Sequence, residues 1–450
     1  MSESQTTSDH LCVLVHGLWG NPAHLEYVAS TLRERYGETG LHILSAKGND
    51  GNMTYDGIEV GGERLMHEIE DTLEALEAKG QTIKRLSIVG YSLGGLVSRY
   101  AIGLLQARGL LDKLEPVNFT TFATPHVGVR TPAHNNTTNH VWNWMGSRIL
   151  SMSGQQMFLE DSFRDTRRPL LSIMADPDSI FIQGLRKFRN RSVYANLVND
   201  RSVTFWTASF SKVDPFQHLN GVNIKYVPGY DQVIVDPDQY LLPFTPKERE
   251  SLISRIRKGG KKFANEMPFY LLILLLAGPA ATIFLAYSGV QSVRSRNRIR
   301  LHREGDNGIL FGKYRVPLLV QNAQHVMEEV FENVNARQEP EYLSSTDAEA
   351  SDSSLAKADT NTLSRKKSSE RAPPPYSLGT EDTSKFPRLA LTPEQSAIVD
   401  SLNDVGFHKY PVYIHNHRHS HAAIIVRMEQ ESFAEGKIVM KHWLDNEFVN

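Results

Sequence analysis

Short apolar runs alternate with amphipathic stretches through the first half of the chain. Leu11–Val15, Leu41–Ser45, Val117–Phe122 and Ser192–Val198 have the length and the apolar content of buried strands. Gly61–Lys79 places its apolar residues on one face of a helix. Because strands and helices alternate at this spacing, the pattern predicts an α/β fold, a mostly parallel sheet with helices on both faces.

The most informative stretch is Leu86–Leu105, where a strand pattern leads through the sequence GYSLG into an amphipathic helix. A serine at such a sharp strand-to-helix turn projects its hydroxyl clear of the sheet, which is the nucleophile elbow of hydrolases. Gly90 and Gly94 remove side chains that would collide at this turn. We therefore predict that Ser92 is a nucleophile; an ordinary turn with an inert serine is the alternative.

A second turn, HGLWG at 16–20, follows the first predicted strand, and we call it the oxyanion turn. In hydrolases with a nucleophile elbow, a turn at this place supplies half of the oxyanion hole. The backbone N–H groups of Leu18 and Leu93 would then point at the carbonyl oxygen as it gains charge. Gly17 and His16 would support the turn, and a tight turn with a purely structural histidine is the alternative.

Three motifs in order, HGLWGNP, GYSLGGLVSRY and FATPHVG, resemble those of the intracellular putative serine esterase/lipase family of α/β hydrolases. The resemblance is to its fungal branch, which includes a lipid-droplet phospholipase. It covers Leu11 to about Asp236 well and the C-terminal end more loosely. It implies an α/β-hydrolase fold and hydrolysis of acyl esters of glycerophospholipids or glycerolipids through an acyl-enzyme on Ser92, at a lipid surface.

The candidate acid of the triad is Asp200, which follows the last predicted strand in the chain order Ser, Asp, His. It would accept a hydrogen bond from the imidazole and fix its tautomer. The family resemblance, through the N-D after Y-A-N, also points to Asp200. An ordinary Asn-Asp turn is the alternative, and the rival acids are Asp176, Asp178 and Asp214.

Four histidines alternate near the C-terminal end, at 415, 417, 419 and 421, and an extended chain would present them on one face. We predict no metal site, because no Asp, Glu or Cys lies among them in the sequence. The proposed chemistry also requires no organic cofactor. By the family resemblance, His421 before the run AAIIV is the catalytic base, with His419 as the second candidate.

Residues 129–191 interrupt the regular alternation of strands and helices and include the apolar sequence VWNWM at 141–145. Insertions at this point cover the site as a lid in lipases. A packed helical insertion is the alternative. Trp142 and Trp144, if exposed as a pair, would suit a membrane interface.

The stretch 268–290 carries no charge over about 23 residues, which is enough to span a bilayer. However, Gly278 and Pro279 divide it into short halves, and basic residues flank both of its ends within 250–300. Both flanks therefore favour the cytosolic side. A single pass would also separate Ser92 from His421.

We therefore predict a membrane hairpin at 268–290, with a single pass and a buried core helix as the alternatives. The expected location is a lipid droplet or the endoplasmic reticulum membrane, with the catalytic domain facing the cytosol. The predicted organisation of the chain is a polar tail at 1–10, a hydrolase core at 11–240 and 389–450, an amphipathic helix at 311–337 and a disordered linker at 338–388.

Within the linker, Pro373, Pro374 and Tyr376 match the PPxY ligand of WW domains, so a WW-domain protein is a candidate partner and a chance match is the alternative. The charge is nearly balanced, with 49 Lys and Arg against 51 Asp and Glu, and it does not favour nucleic acid. The single cysteine, Cys12, fits a reducing compartment. The first ten residues lack the pattern of a secretory or transit signal.

Two alternatives to a lipase come from these observations. One is an esterase for soluble substrates, or a protein thioesterase, that only sits at a membrane. The other is an inactive adaptor that recruits WW-domain ligases through the PPPY sequence.

Overall fold

The computed structural model describes residues 8–37, 40–134, 136–216, 223–238, 241–242, 289–301, 335, 340–342, 386 and 388–450. The predicted hairpin, amphipathic helix and linker, including Pro373, Pro374 and Tyr376, lie outside the described residues except at their edges. Within the described ranges, we find no helix with the length and apolar content needed to cross a membrane.

A parallel sheet forms the centre of the fold. Its strands are β1 (His10–Val15), β2 (His42–Ser45), β3 (Arg85–Tyr91), β4 (Glu115–Phe122), β5 (Asn190–Asn196) and β8 (His408–Val412). They pair in the order β2-β1-β3-β4-β5-β8, and every pairing is parallel. A separate antiparallel pair consists of β6 (Asn223–Ile224) and β7 (Leu241–Leu242). The predicted mostly parallel sheet with helices is confirmed.

The helices of the described residues lie between the strands and after the last one. They are α1 (Glu26–Tyr36), α2 (Ile58–Glu77), α3 (Leu93–Ala107), α4 (Leu110–Lys113), α5 (Thr137–Ile149), α6 (Ser151–Met157), α7 (Leu170–Met174), α8 (Ile180–Lys187), α9 (Phe205–Ala208), α10 (289–301), α11 (Pro393–Val405), α12 (Ser420–Ala423) and α13 (Ala434–Asn446).

Both faces of the sheet are buried, and β1 shows how the sequence produces this. Its side chains alternate, so that Leu11, Val13 and Val15 enter one core with residues of α2, α3, α8 and α11. Cys12 and Leu14 enter the other core with residues of α1 and α13. A strand that is buried on both sides needs a continuous apolar run, which is what the sequence has at this place.

Capping residues mark the starts of two helices. The Asn21 side chain accepts a hydrogen bond from the Ala23 N–H, and a short 3-10 helix then leads into α1. At α11, the Thr392 hydroxyl accepts from the Gln395 N–H while the Gln395 side chain accepts from the Thr392 N–H. This reciprocal pair is a capping box, and it stabilises the start of α11.

The edge strand β8 brings the C-terminal end of the chain into the sheet. Its pairs with β5 run from Ser192 with His408 to Asn196 with Val412. Pro411 lies within β8, where an edge position tolerates the missing N–H. The carboxyl ends of β3, β5 and β8 therefore meet on one side of the sheet, which is the side where ligand crevices form in such folds.

The insertion at 129–191 folds into helices that differ in their packing. Helix α8 lies against α3 so closely that a Cβ at Gly103 would be 2.1 Å from the ring of Phe181. Helix α5, in contrast, exposes 57% of Trp144 but only 3% of Trp142. The Trp142 indole packs edge-on against Phe158. The expectation of an exposed tryptophan pair is therefore wrong for Trp142.

Candidate active site

Ser92 lies at the junction of β3 and α3 in a strained conformation. Its backbone has φ 53° and ψ −128°, a positive φ that side-chain-bearing residues rarely adopt. The Ser92 N–H donates to the Phe122 carbonyl at 3.0 Å, and the Ser92 carbonyl accepts from the Gly95 N–H at 3.1 Å. These bonds hold the turn in place, and the residue is 9% exposed.

Three glycines make room for this turn. A Cβ at Gly90 would lie 2.4 Å from the Gly95 Cα, and a Cβ at Gly94 would lie 2.2 Å from the Val15 carbonyl oxygen. A Cβ at Gly17 would lie 2.7 Å from the Ser92 Cβ, so the oxyanion turn touches the serine. Neighbouring backbone cannot yield as a flexible side chain does, and these positions therefore require glycine.

The structure brings Ser92, His421 and Asp200 together in a line. The His421 Nε2 lies 3.0 Å from the Ser92 Oγ, and its Nδ1 lies 2.9 Å from the Asp200 Oδ2. The side chains of His421 and Asp200 are only 6% and 2% exposed. The order nucleophile, imidazole, carboxylate at hydrogen-bond distances is the geometry of a catalytic triad.

Neighbouring groups hold the Asp200 carboxylate in its orientation. Its Oδ1 accepts from the N–H groups of Ser202 at 3.0 Å and Val203 at 2.7 Å. Its Oδ2 accepts from the Asn196 side chain at 2.9 Å as well as facing His421. Asn196 is a supporting residue that sequence reasoning missed, although it is the N of the Y-A-N that precedes Asp200.

Two further residues position His421, and neither was predicted. The Tyr91 hydroxyl donates to the His421 carbonyl at 3.1 Å, and the two rings lie 5.0 Å apart. The Ser420 hydroxyl donates to the Val198 carbonyl at 2.8 Å, which ties α12 to the segment after β5. Only the adjacency of Tyr91 to Ser92 in the elbow, and of Ser420 to His421, could have suggested them.

Two of the rival acids are engaged elsewhere, and the third, Asp178, is exposed. Asp176 pairs with Arg168 at 2.9 Å and also accepts the Asp178 N–H. Asp214 accepts the Phe216 N–H at 3.0 Å, and burial raises the pKa of Asp214 to about 6. The structure thus assigns the position beside His421 to Asp200.

The other alternating histidines have separate surroundings. The His415 ring stacks on Tyr413 and faces the Glu435 carboxylate at 3.0 Å. The His419 N–H donates to the His417 Nδ1 at 3.0 Å. The chain bends into loop and helix here instead of continuing as a strand, so the four rings do not share one face. No group of metal-binding side chains occurs in the part of the chain that the structure describes.

The oxyanion turn offers free donors beside Ser92. Among the described residues, the backbone N–H groups of Leu18 and Leu93 donate to no protein acceptor. The next N–H, that of Trp19, is taken by the Thr54 hydroxyl at 3.0 Å. Two uncommitted N–H groups on the two turns that meet at Ser92 are what an oxyanion hole requires.

His16 has a structural place in this turn. It is 4% exposed, and its Nδ1 lies 3.1 Å from the Gly17 carbonyl oxygen, which can only accept. Burial lowers the pKa of His16 to about 4, so the ring is neutral at pH 7. It therefore supports the turn by packing and by this hydrogen bond.

Part of the sequence matches a known protein family. Residues 5–212 match the family model described as putative serine esterase (DUF676). These residues make the chain similar to the putative serine esterase family over a little less than half of its length. The match includes the oxyanion turn, the elbow and Asp200, whereas His421 lies beyond its end.

Fungal relatives of the chain carry the description of putative lipases. A putative lipase of Schizosaccharomyces pombe is 28% identical over 270 residues, which cover 58% of this chain and 33% of the relative. The putative lipase ROG1 of Saccharomyces cerevisiae is 32% identical over 212 residues, which cover 46% of this chain and 29% of the relative. The chain therefore spans about a third of the length of the curated relatives it matches.

Two solved structures are more distant. Phospholipase PlaB from Legionella pneumophila is 13% identical with a TM-score of 0.28, over 43% of this chain and 38% of that one. The esterase LipA from Xanthomonas oryzae is 13% identical with a TM-score of 0.23, over 36% of this chain and 47% of that one. At these TM-scores, neither likeness carries an argument about the protein.

The buried neutral His16 predicts a pH dependence of stability. Its pKa falls from 6.5 to about 4 on folding, so the unfolded chain takes up a proton before the folded chain does. The free energy of unfolding should therefore fall as the pH drops from about 6.5 to about 4, by about 1.4 kcal/mol per pH unit for each such histidine. Urea unfolding between pH 7 and pH 5 measures this slope.

The variant His16→Asn should show a shallower pH slope than the wild type. His67→Asn, at a side chain of α2 that is 57% exposed, is the control variant. His10 and His442 also have pKa values lowered to about 4 by burial, so a slope remains in both variants. A His16→Asn protein with the wild-type slope would contradict the assignment.

Proposed function

We propose that the protein is a lipase or phospholipase that hydrolyses acyl esters of glycerophospholipids or glycerolipids at a lipid surface. The observation that carries the proposal is the line from Ser92 through His421 to Asp200, beside two uncommitted backbone N–H groups. The fungal relatives described as putative lipases favour a lipid ester as the substrate.

The geometry supports a two-step reaction. His421, with its Nδ1–H donated to Asp200, accepts the Ser92 proton on Nε2 as the serine oxygen attacks the ester carbonyl. The N–H groups of Leu18 and Leu93 stabilise the oxyanion, at about 3 kcal/mol for each donor. The proton then passes to the leaving alcohol and an acyl-enzyme remains on Ser92. Water, activated by His421, releases the fatty acid.

The exposed residues of helix α5 are the argument for action at a lipid surface. Val141, Trp144 and Met145 share one side of the helix and are 56%, 57% and 39% exposed. The Arg148 guanidinium lies 4.3 Å from the centre of the Trp144 ring, and α5 contains no acidic residue. An exposed tryptophan with an arginine beside it suits the boundary between acyl chains and headgroups.

This exposed side is connected to the candidate site. Helix α5 continues into α6, and the Ser153 hydroxyl of α6 donates to the Thr54 carbonyl. Thr54 in turn holds the Trp19 N–H of the oxyanion turn. The segment that continues α5 is therefore linked by hydrogen bonds to the oxyanion turn.

The remaining parts of the proposal rest on sequence alone. They are the hairpin at 268–290, the lipid-droplet or endoplasmic reticulum location with the catalytic domain facing the cytosol, and a WW-domain partner for Pro373, Pro374 and Tyr376. Nothing in the proposed reaction requires a metal or an organic cofactor.

Replacing the nucleophile tests the reaction. Ser92→Ala should lower kcat on a fatty-acyl ester by at least about a thousandfold, because no other hydroxyl can form the acyl-enzyme. It should also abolish covalent labelling by a fluorophosphonate. Ser30→Ala, at an exposed serine of α1, is the matched control and should retain both properties. Full activity in Ser92→Ala would end the proposal.

Two variants test which histidine is the catalytic base, His421 or His419. His421→Ala should reduce kcat about ten-thousandfold, since the proton of Ser92 then has no acceptor. His419→Ala should retain activity within about twofold, because the His421 ring, and not the His419 ring, lies between Ser92 and Asp200. Measured kcat values that reverse this order would move the base to His419.

The exposed side of α5 predicts a difference between substrates. Trp144→Ser should weaken hydrolysis of phospholipid in vesicles about tenfold but leave kcat/KM for a short water-soluble ester unchanged, since the ring contacts the surface and not the scissile bond. Val449→Ser is the control, because Val449 is 41% exposed but lies near the amino end of β4, away from the site. Equal losses on both substrates would favour an esterase for soluble esters.

A further inference from the structure

The oxyanion turn is held by a neighbouring 3-10 helix, Gly51–Asp56, which we call the support turn. Its Thr54 hydroxyl accepts the Trp19 N–H at 3.0 Å, and its Gly51 N–H donates to the Gly20 carbonyl at 2.8 Å. Trp19 has a φ of 55°, a conformation that needs outside support. The position of the Leu18 N–H therefore depends on the position of the support turn.

The last residue of the support turn, Asp56, carries a buried charge. The carboxylate is 0% exposed, and two arginines bind it. Arg64 of α2 donates to Oδ2 at 2.7 Å. Arg298 of α10 donates from Nε and Nη2 to both oxygens at 2.7 to 3.0 Å. The side chains of Arg64 and Arg298 are only 8% and 5% exposed.

Helix α10 holds the support turn at two further points. The Arg298 Nη2 also donates to the Asn52 carbonyl at 3.0 Å, and the Ser295 hydroxyl donates to the Tyr55 carbonyl at 3.2 Å. Ile299 is buried beside them. Arg294 and Arg296 of the same helix are exposed, so the burial of Arg298 is specific to its place on the helix.

Arg298 brings geometry as well as charge to Asp56. Arg64 already supplies one positive charge for the single negative charge of Asp56. Burying a second guanidinium carries a desolvation cost. What Arg298 adds is a planar, bidentate contact and a hydrogen bond to the support-turn backbone, which together fix a geometry.

We propose that Arg298 is a positioning residue for the oxyanion hole. It acts through the support turn on the oxyanion turn, and thereby on the Leu18 N–H. This inference rests on the proposed function. It assigns a catalytic contribution to a helix that is distant in the chain, since Arg298 and Asp56 are separated by 242 positions.

The test compares variants of the full chain on a short water-soluble ester. Arg298→Leu leaves Asp56 paired with Arg64, so the protein should fold. Its kcat should fall about tenfold with an unchanged KM, because a displaced donor weakens transition-state binding and not substrate binding. Arg298→Lys should recover part of this loss. Arg296→Leu, at an exposed arginine of the same helix, should match the wild type in kcat, KM and thermal midpoint.

A second variant tests the route through the support turn. Thr54→Val removes the acceptor of the Trp19 N–H at nearly constant volume, and it should also lower kcat with an unchanged KM. If both residues act through the oxyanion turn, the double variant should lose less than the product of the two single losses. Independent, multiplying losses would overturn the proposal.

Other outcomes also decide the matter. A folded Arg298→Leu protein with the wild-type kcat rejects the positioning role. So does failure of both Arg298 variants to fold, since Arg298 would then serve the fold as a whole. If wild-type hydrolysis does not depend on Ser92, the proposed function fails, whereas Ser92-dependent hydrolysis that Arg298→Leu leaves intact rejects only this inference.

Discussion

The parallel pairing of β5 with β8 is the contact on which the candidate site depends. Asp200 follows β5 and His421 follows β8, so the register of this pair sets the distance between acid and base. These two residues are separated by 221 positions in the chain. The entropic cost of closing a loop grows only with the logarithm of its length. A long intervening segment can therefore separate the two without preventing the pairing.

Around this contact, the site is built from close approaches between backbones. Ser92 keeps its strained conformation because Gly90, Gly94 and Gly17 let β3, α3 and the oxyanion turn come together. Strain of this kind persists only where the surroundings determine it completely. Hydrogen bonds to the Asp200 carboxylate and to the His421 carbonyl likewise restrict the positions of these two residues.

Buried charge ties distant segments to this centre. Asp56 is fully enclosed, and its partners come from α2 and from α10, the helix at the end of the apolar stretch. Through Arg298, the chain after that stretch contacts the support turn, which in turn contacts the oxyanion turn beside Ser92. A nearly balanced total charge conceals this arrangement, because one buried carboxylate and two buried guanidinium groups contribute little to the sum.

The sequence by itself determined the strands β1 to β5, the elbow and the oxyanion turn, because these depend on local apolar runs and on glycine at fixed spacing. It also named Ser92, Asp200 and His421. Only the tertiary structure decided that the three meet, that Trp142 is buried while Trp144 is exposed, and that Arg298 is internal. Such facts depend on long-range packing and on the burial of charge, and neither leaves a periodic signal in the chain.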